Sequence, residues 1–235
     1  MSAPAVAEPR AEGAVEAEVA RIRGLLERSR FAPAAAACEA LLDSLPENRD
    51  ALYMLAVSQR HLNRCVDALA TLDRLERHHP SYSRLAQERG HCYVTMREAP
   101  RAIEAFLTAV HRNPALPASW RALEALYRMA GDPANAETAA SHVRTLAVLP
   151  PEIVTATSMF HDGEIAPAEQ IVRRYLLQHG NHVEAMRLLA RIGIEREVFD
   201  DAETLLTAAL EMAPDYQAAR FDLARTLLHR HKHRR

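Results

Sequence analysis

Alanine recurs at Ala34, Ala68, Ala102 and Ala136, each 34 residues after the last, and proline keeps the same beat at Pro46, Pro80 and Pro114. A fixed period of this length means one supersecondary unit copied along the chain, with apolar faces buried by stacking neighbours. Gly is scarce at 7 and aromatics make up 5% of the 235 residues, while Ala, Leu, Arg and Glu, all good helix formers, dominate. No sustained apolar–polar alternation argues for strands. The expectation is an all-α repeat array, and arrays of this kind mostly bind other molecules rather than carry out chemistry.

Setting the prolines in register gives a helix–turn–helix unit. In the third copy Gly90 and Tyr93 fall in the first helix, Ala102, Phe106 and Ala109 in the second, and Pro114 closes the unit. Small residues at Gly90 and Ala102 let the helices approach, and proline cannot continue a helix, so it sets the corner into the next unit. The second copy reads Leu52, Leu55, Ala56, Ala68, Leu72, Leu75, Pro80; the fourth reads Trp120, Leu123, Tyr127, Gly131, Ala136; the sixth reads Met186, Leu189, Ala190, Ala202, Leu206, Ala209, Pro214. This spacing resembles the tetratricopeptide repeat over residues 14–235. The resemblance implies a right-handed solenoid of antiparallel helix pairs, about six repeats plus one terminal helix. Leu55, Leu72, Tyr93, Phe106, Trp120, Leu123, Tyr127, Leu189, Leu206 and Leu223 are the expected buried positions.

Several segments depart from the pattern. Residues 1–13 are small, polar and Pro-bearing, and read as a disordered lead-in. The first copy carries Glu18 and Arg21 where large apolar residues usually sit, which suits an end cap. The fourth copy runs into Leu149-Pro150-Pro151, and the fifth closes on Gly180-Asn181 in place of proline. A change of pitch or a hinge is expected near 147–153. Residues 217–235 form an incomplete seventh copy, in which HRHKHRR would be the turn after an apolar first helix. That apolar helix suggests a chain continued in a longer protein, or self-association through it into a homo-oligomer.

Catalytic signatures are missing: no HExxH, GxG or GxSxG occurs. Cys38, Cys65 and Cys92 fall at different phases of the repeat and read as buried reduced thiols. His179 and His182 with Glu184 have ligand chemistry, but Gly180 breaks the helix that would align them. His229, His231 and His233 alternate with basic residues at a helix end, where cations suit the dipole. No metal or cofactor is expected. Neither a secretory signal nor a membrane span is written here, so the cytoplasm is the expected location.

The resemblance points to the first helices, which line the concave groove in this family. Its groove positions give Tyr53, Val57 and Arg60 in the second copy, Arg84, Gln87 and His91 in the third, and Arg121, Ala125 and Arg128 in the fourth. The sixth gives Arg187 and Arg191, and the seventh Phe221 and Arg225. Arginine recurs there although the formal net charge is -2, so positive charge is segregated onto one face. Its planar fork suits carboxylate or phosphate. The chain reads as a non-enzymatic module that binds a protein or peptide segment, acidic in character, in an Arg-lined groove. The ninth positions hold no Asn, which speaks against a clamp for a chaperone's C-terminal carboxylate. No aromatic stacking row accompanies the arginines, so nucleic acid is not favoured. The Ala/Arg-rich helices also look like the N-terminal repeat array of bacterial sulfotransferase-family proteins. That resemblance implies an accessory region whose catalytic domain is absent from this chain.

Overall fold

The computed structural model describes residues 9–233, with side chains for 13–229. Among these residues every regular element is a helix: α1 Pro9–Glu27, α2 Phe31–Ser44, α3 Arg49–His61, α4 Cys65–His78, α5 Ser83–Thr95, α6 Ala99–Arg112, α7 Pro117–Met129, α8 Pro133–Ala147, α9 Pro151–His161, α10 Ile165–His179, α11 Val183–Glu195, α12 Phe199–Met212 and α13 Gln217–His233. Pro117, Pro133 and Pro151 each open a helix, where the missing N–H costs nothing. Asn48 caps α3 by accepting the Ala51 N–H at 2.9 Å. None of these helices is long and apolar enough to cross a membrane.

The turn inside each pair has one recurring demand. Ser29, Asn63, Arg97, Gly131, Gly163 and Glu197 all have φ between 56° and 78°. Each ends the first helix of a pair in a left-handed residue, the conformation that reverses the chain into the second. These positions are 34 residues apart except between Gly131 and Gly163, where the interval is 32. The shortfall lies in α9, with 11 residues where α3, α5, α7 and α11 have 13. The irregularity around Pro150-Pro151 is therefore a two-residue slip, after which the period resumes. The alanine beat shows the same slip, passing from Ala136 to Ala168 and Ala202, and all six repeat alanines are buried.

The chain forms two compact units. Of the described residues, one contains those up to Arg112 together with Ala122–Ala136; the other contains Asn113–Arg121 together with those from Glu137 onward. In the first unit consecutive helices α1 to α6 pack pairwise around Ile22, Leu52, Leu72, Leu75 and Leu85. A Cβ built on Gly90 would lie 2.7 Å from the Phe106 ring, so only glycine fits the α5–α6 crossing. In the second unit α9 to α13 stack in order around Ile153, Val172, Leu188, Ile192 and Leu206. The buried Asn113 side chain joins this unit by donating to the Ser158 carbonyl and hydroxyl, both at 3.0 Å.

Leu55, Leu72, Phe106, Leu123, Leu189 and Leu206 are buried as expected, but Tyr93, Trp120, Tyr127 and Leu223 are only half-buried. Polar groups account for two of these. Trp120 stacks on His142 at 3.9 Å and donates its indole N–H to the Pro114 carbonyl at 2.9 Å. Tyr93 lies under the Arg101 guanidinium, 4.2 Å from the ring centroid, and its hydroxyl accepts from Arg101 at 2.9 Å.

Two boundaries also move. Helix α1 starts at Pro9, inside the expected lead-in, whose residues 1–8 lie outside the described residues. The basic segment is no turn as far as His233, because α13 runs on through it; Arg234 and Arg235 lie outside the described residues.

Candidate functional site

The expected groove residues all sit on first helices: Tyr53 and Arg60 on α3, Arg84, Gln87 and His91 on α5, Arg121 and Arg128 on α7, Arg187 and Arg191 on α11, and Arg225 on α13. The structure brings Tyr53, Arg60, Arg84 and His91 together in the first unit and Arg187, Arg191 and Arg225 in the second. Arg128 is exposed and bonds to Glu124 one turn back. Arg121 is exposed as well.

In the first unit Arg60 donates its Nε to Glu88 at 2.8 Å, across from α3 to α5. Glu88 is buried and Arg60 mostly so. Arg60 also approaches His61 Nε2 at 3.1 Å, and His61 stacks flat on Phe31 at 4.0 Å. Burial pushes the His91 imidazole below its usual range, with the Arg60 charge adding to the effect against Glu88. The ring meets Phe106 edge-on at 5.0 Å. Tyr53 packs edge-on against Tyr82 at 5.5 Å, and burial, with Glu88 nearby, raises its hydroxyl well above the ordinary value. Arg49 lies over the Tyr82 ring at 5.0 Å. The one groove arginine on α3 is thus neutralised from within the protein.

In the second unit Arg187 donates its Nε to Asp222 at 2.8 Å and its Nη1 to the Tyr216 hydroxyl at 3.0 Å. Tyr216 in turn donates to Glu184. Asp222 is buried. Arg191, one turn along α11, lies over the Phe160 ring at 4.6 Å, a cation–π contact. Burial holds its guanidinium below the usual arginine range, and the charges of Arg187 and Arg225 add to this against Asp222 and Glu195. The Nε of Arg225 is buried with no hydrogen-bond partner. Neither Arg191 nor Arg225 has an ion pair among the described residues. Beside them the His161 imidazole is lowered by burial and by Arg191, with Asp162 opposing.

Glu88, Asp222, Phe160 and His161 were not among the groove positions read from the sequence. Glu88 and Asp222 occupy the same place in their units once the two-residue slip is allowed for. An acidic residue recurring directly after the groove positions Gln87 and Phe221 was therefore the available signal. No metal site accompanies either cluster: among the described residues no three of His, Cys, Asp or Glu are grouped to hold an ion. His182 instead caps α11, accepting the Ala185 N–H at 3.4 Å, and its ring lies 5.6 Å from Tyr175. The three cysteines are buried, and burial pushes the Cys38 and Cys92 thiols up to about 12, so neither is a nucleophile.

Residues 19–83 and 194–233 match the tetratricopeptide repeat family. PilF of Pseudomonas aeruginosa superposes with a TM-score of 0.52 at 18% identity, over 91% of this chain and 98% of that one. A chain of the APC/C hetero-tetramer Cut9–Hcn1 superposes with a TM-score of 0.53 at 15% identity, over 91% of this chain and 43% of that one. No curated protein matches in sequence. These likenesses bear on the repeat and not on the resemblance to sulfotransferase-associated arrays. In fold and in its matched segments the chain is built of tetratricopeptide-type helix pairs, a fold that serves generally as a protein–protein interaction module.

Proposed function

We propose that the chain is a non-enzymatic interaction module that holds an acidic segment of a partner protein against the first-helix face of its second unit. The observation that carries this reading is the gathering of Arg187, Arg191 and Arg225 around one buried carboxylate, Asp222. Like charges held together at half-buried positions cost free energy that an incoming anion returns. Arginine forks paired with carboxylates make stronger hydrogen bonds than neutral pairs, each contributing about 1.5–3 kcal/mol. The half-buried Phe160 beneath Arg191 offers apolar surface beside the charges, as a peptide needs.

The test is equilibrium binding of a fluorescent Glu-rich peptide and of its Gln-substituted counterpart at several salt concentrations. The proposal expects the Glu-rich peptide to bind more tightly, with an affinity that falls as salt rises. Equal binding of both peptides, indifferent to salt, contradicts it.

A further inference from the structure

We infer that the cluster of Arg191, Arg225 and His161 is a subsite for a phosphoryl group carried on the bound segment, a phosphorylated side chain rather than one more carboxylate. This rests on the acidic-segment reading and sharpens it.

The unpaired guanidinium groups favour a ligand group with several acceptor oxygens. Arg187 is already engaged, by Asp222 at 2.8 Å and by Tyr216 at 3.0 Å. The Glu184 carboxylate lies 3.9 Å from Arg187 and takes the Tyr216 hydroxyl proton as its hydrogen bond. That leaves Arg191 and Arg225, two cations without an ion pair among the described residues. Glu195, the remaining carboxylate that acts on Arg191, is exposed. A phosphoryl group carries about -1.5 to -2 charges at neutral pH and offers three acceptor oxygens. A carboxylate brings one charge and two oxygens. One phosphoryl group can accept from both arginine forks at once, where a single carboxylate has oxygens enough for one.

The donors are also held in place. The Arg191 guanidinium is braced on Phe160 at 4.6 Å. The Arg225 Nε is buried and unpartnered, a donor whose desolvation is already incurred. The groups facing His161 are Arg191 and Arg187, which disfavour its proton, and Asp162, which favours it. A dianion seated between the arginines and the imidazole reverses that balance and draws a proton onto His161.

The experiment uses three probes on the full chain: the Glu-rich peptide, the same peptide with one central phosphoserine, and inorganic phosphate. The phosphopeptide is expected to bind about tenfold or more tightly than its unmodified form, a difference of about 1.4 kcal/mol or more. Arg191→Gln and Arg225→Gln should each abolish that advantage, and Arg128→Gln, in the other unit, should retain it. Arg225→Lys keeps the charge but not the fork, so it should lose part of the advantage while guarding against a folding defect, checked by helical circular dichroism. In the wild type, phosphopeptide binding should raise the His161 pKa seen by NMR.

Equal binding of the two peptides, or an unmoved His161, overturns the subsite but leaves the acidic-segment reading standing. Inorganic phosphate binding as tightly as the phosphopeptide overturns the peptide-borne source. Binding by none of the probes overturns both readings together.

Discussion

The two units solve the same local problem with opposite remainders. Each sets a first-helix arginine against a buried carboxylate on the next first helix: Arg60 to Glu88 at 2.8 Å in one, Arg187 to Asp222 at 2.8 Å in the other. In the first unit the next groove residue is His91, half-buried and biased toward its neutral form. In the second, Arg191 and Arg225 stand at the ninth position of successive copies without an ion pair among the described residues, beside an Arg187 already paired with Asp222 and Glu184. The pair in the first unit holds helices together. The cluster in the second does that and leaves charge over. The difference teaches that arginine at a groove position is not by itself a binding residue; what the neighbouring copy supplies against it decides.

Removing the carboxylates breaks this comparison most sharply. Glu88→Ala should cost about 3 kcal/mol, because it leaves Arg60 without its buried partner. Asp222→Ala should cost at least as much, since it leaves three arginines adjacent. Added phosphate should recover part of the Asp222→Ala loss and none of the Glu88→Ala loss, as chemical unfolding with and without phosphate will read. Equal recovery in both would erase the distinction between the units.

A smaller effect separates the two units through their close-approach glycines. Gly90→Ala drives a methyl into the Phe106 ring and should cost about 1–3 kcal/mol. At Gly193 a Cβ would sit 3.4 Å from the nearest atom, the Val198 carbonyl oxygen. There alanine should be neutral or stabilising by up to about 1 kcal/mol, since glycine is a poor helix former. Thermal melts of the two variants check both signs.

The smallest effect is pH dependence. Burial lowers the imidazoles of His91 in the first unit and His161 in the second below the ordinary value of 6.5. Below that value the unfolded chain binds protons that the folded chain refuses, so stability falls as pH drops through and below about 6.5 and is complete above it. Phosphate should blunt the His161 share only, which His161→Gln and His91→Gln variants will resolve.

Much of the fold was legible because its demands repeat. The alanine positions are buried in every pair, and Gly90 sits against Phe106 as its small size required. The two-residue slip was visible only as a break in the pattern around Leu149-Pro150-Pro151, since the shortening is in α9 itself and proline marks helix starts as readily as ends. Trp120 and Tyr93 were read as core from their phase in the repeat, but both carry a polar handle that found a partner nearer the surface. The first-helix arginines could be enumerated. Which of them were already paired could not, because Glu88 and Asp222 lie outside the groove positions and only packing places them opposite Arg60 and Arg187. Phe160 and His161 belong to the shortened helix, where the register was hardest to follow.

The most direct measurement is the affinity of the Glu-rich peptide for two pairs of variants, Arg191→Gln with Arg225→Gln and Arg60→Gln with Arg128→Gln, each pair confirmed as helical by circular dichroism. The account predicts about tenfold or greater loss for the first pair and little change for the second. Equal losses in both pairs, or a larger loss in the second, would contradict it.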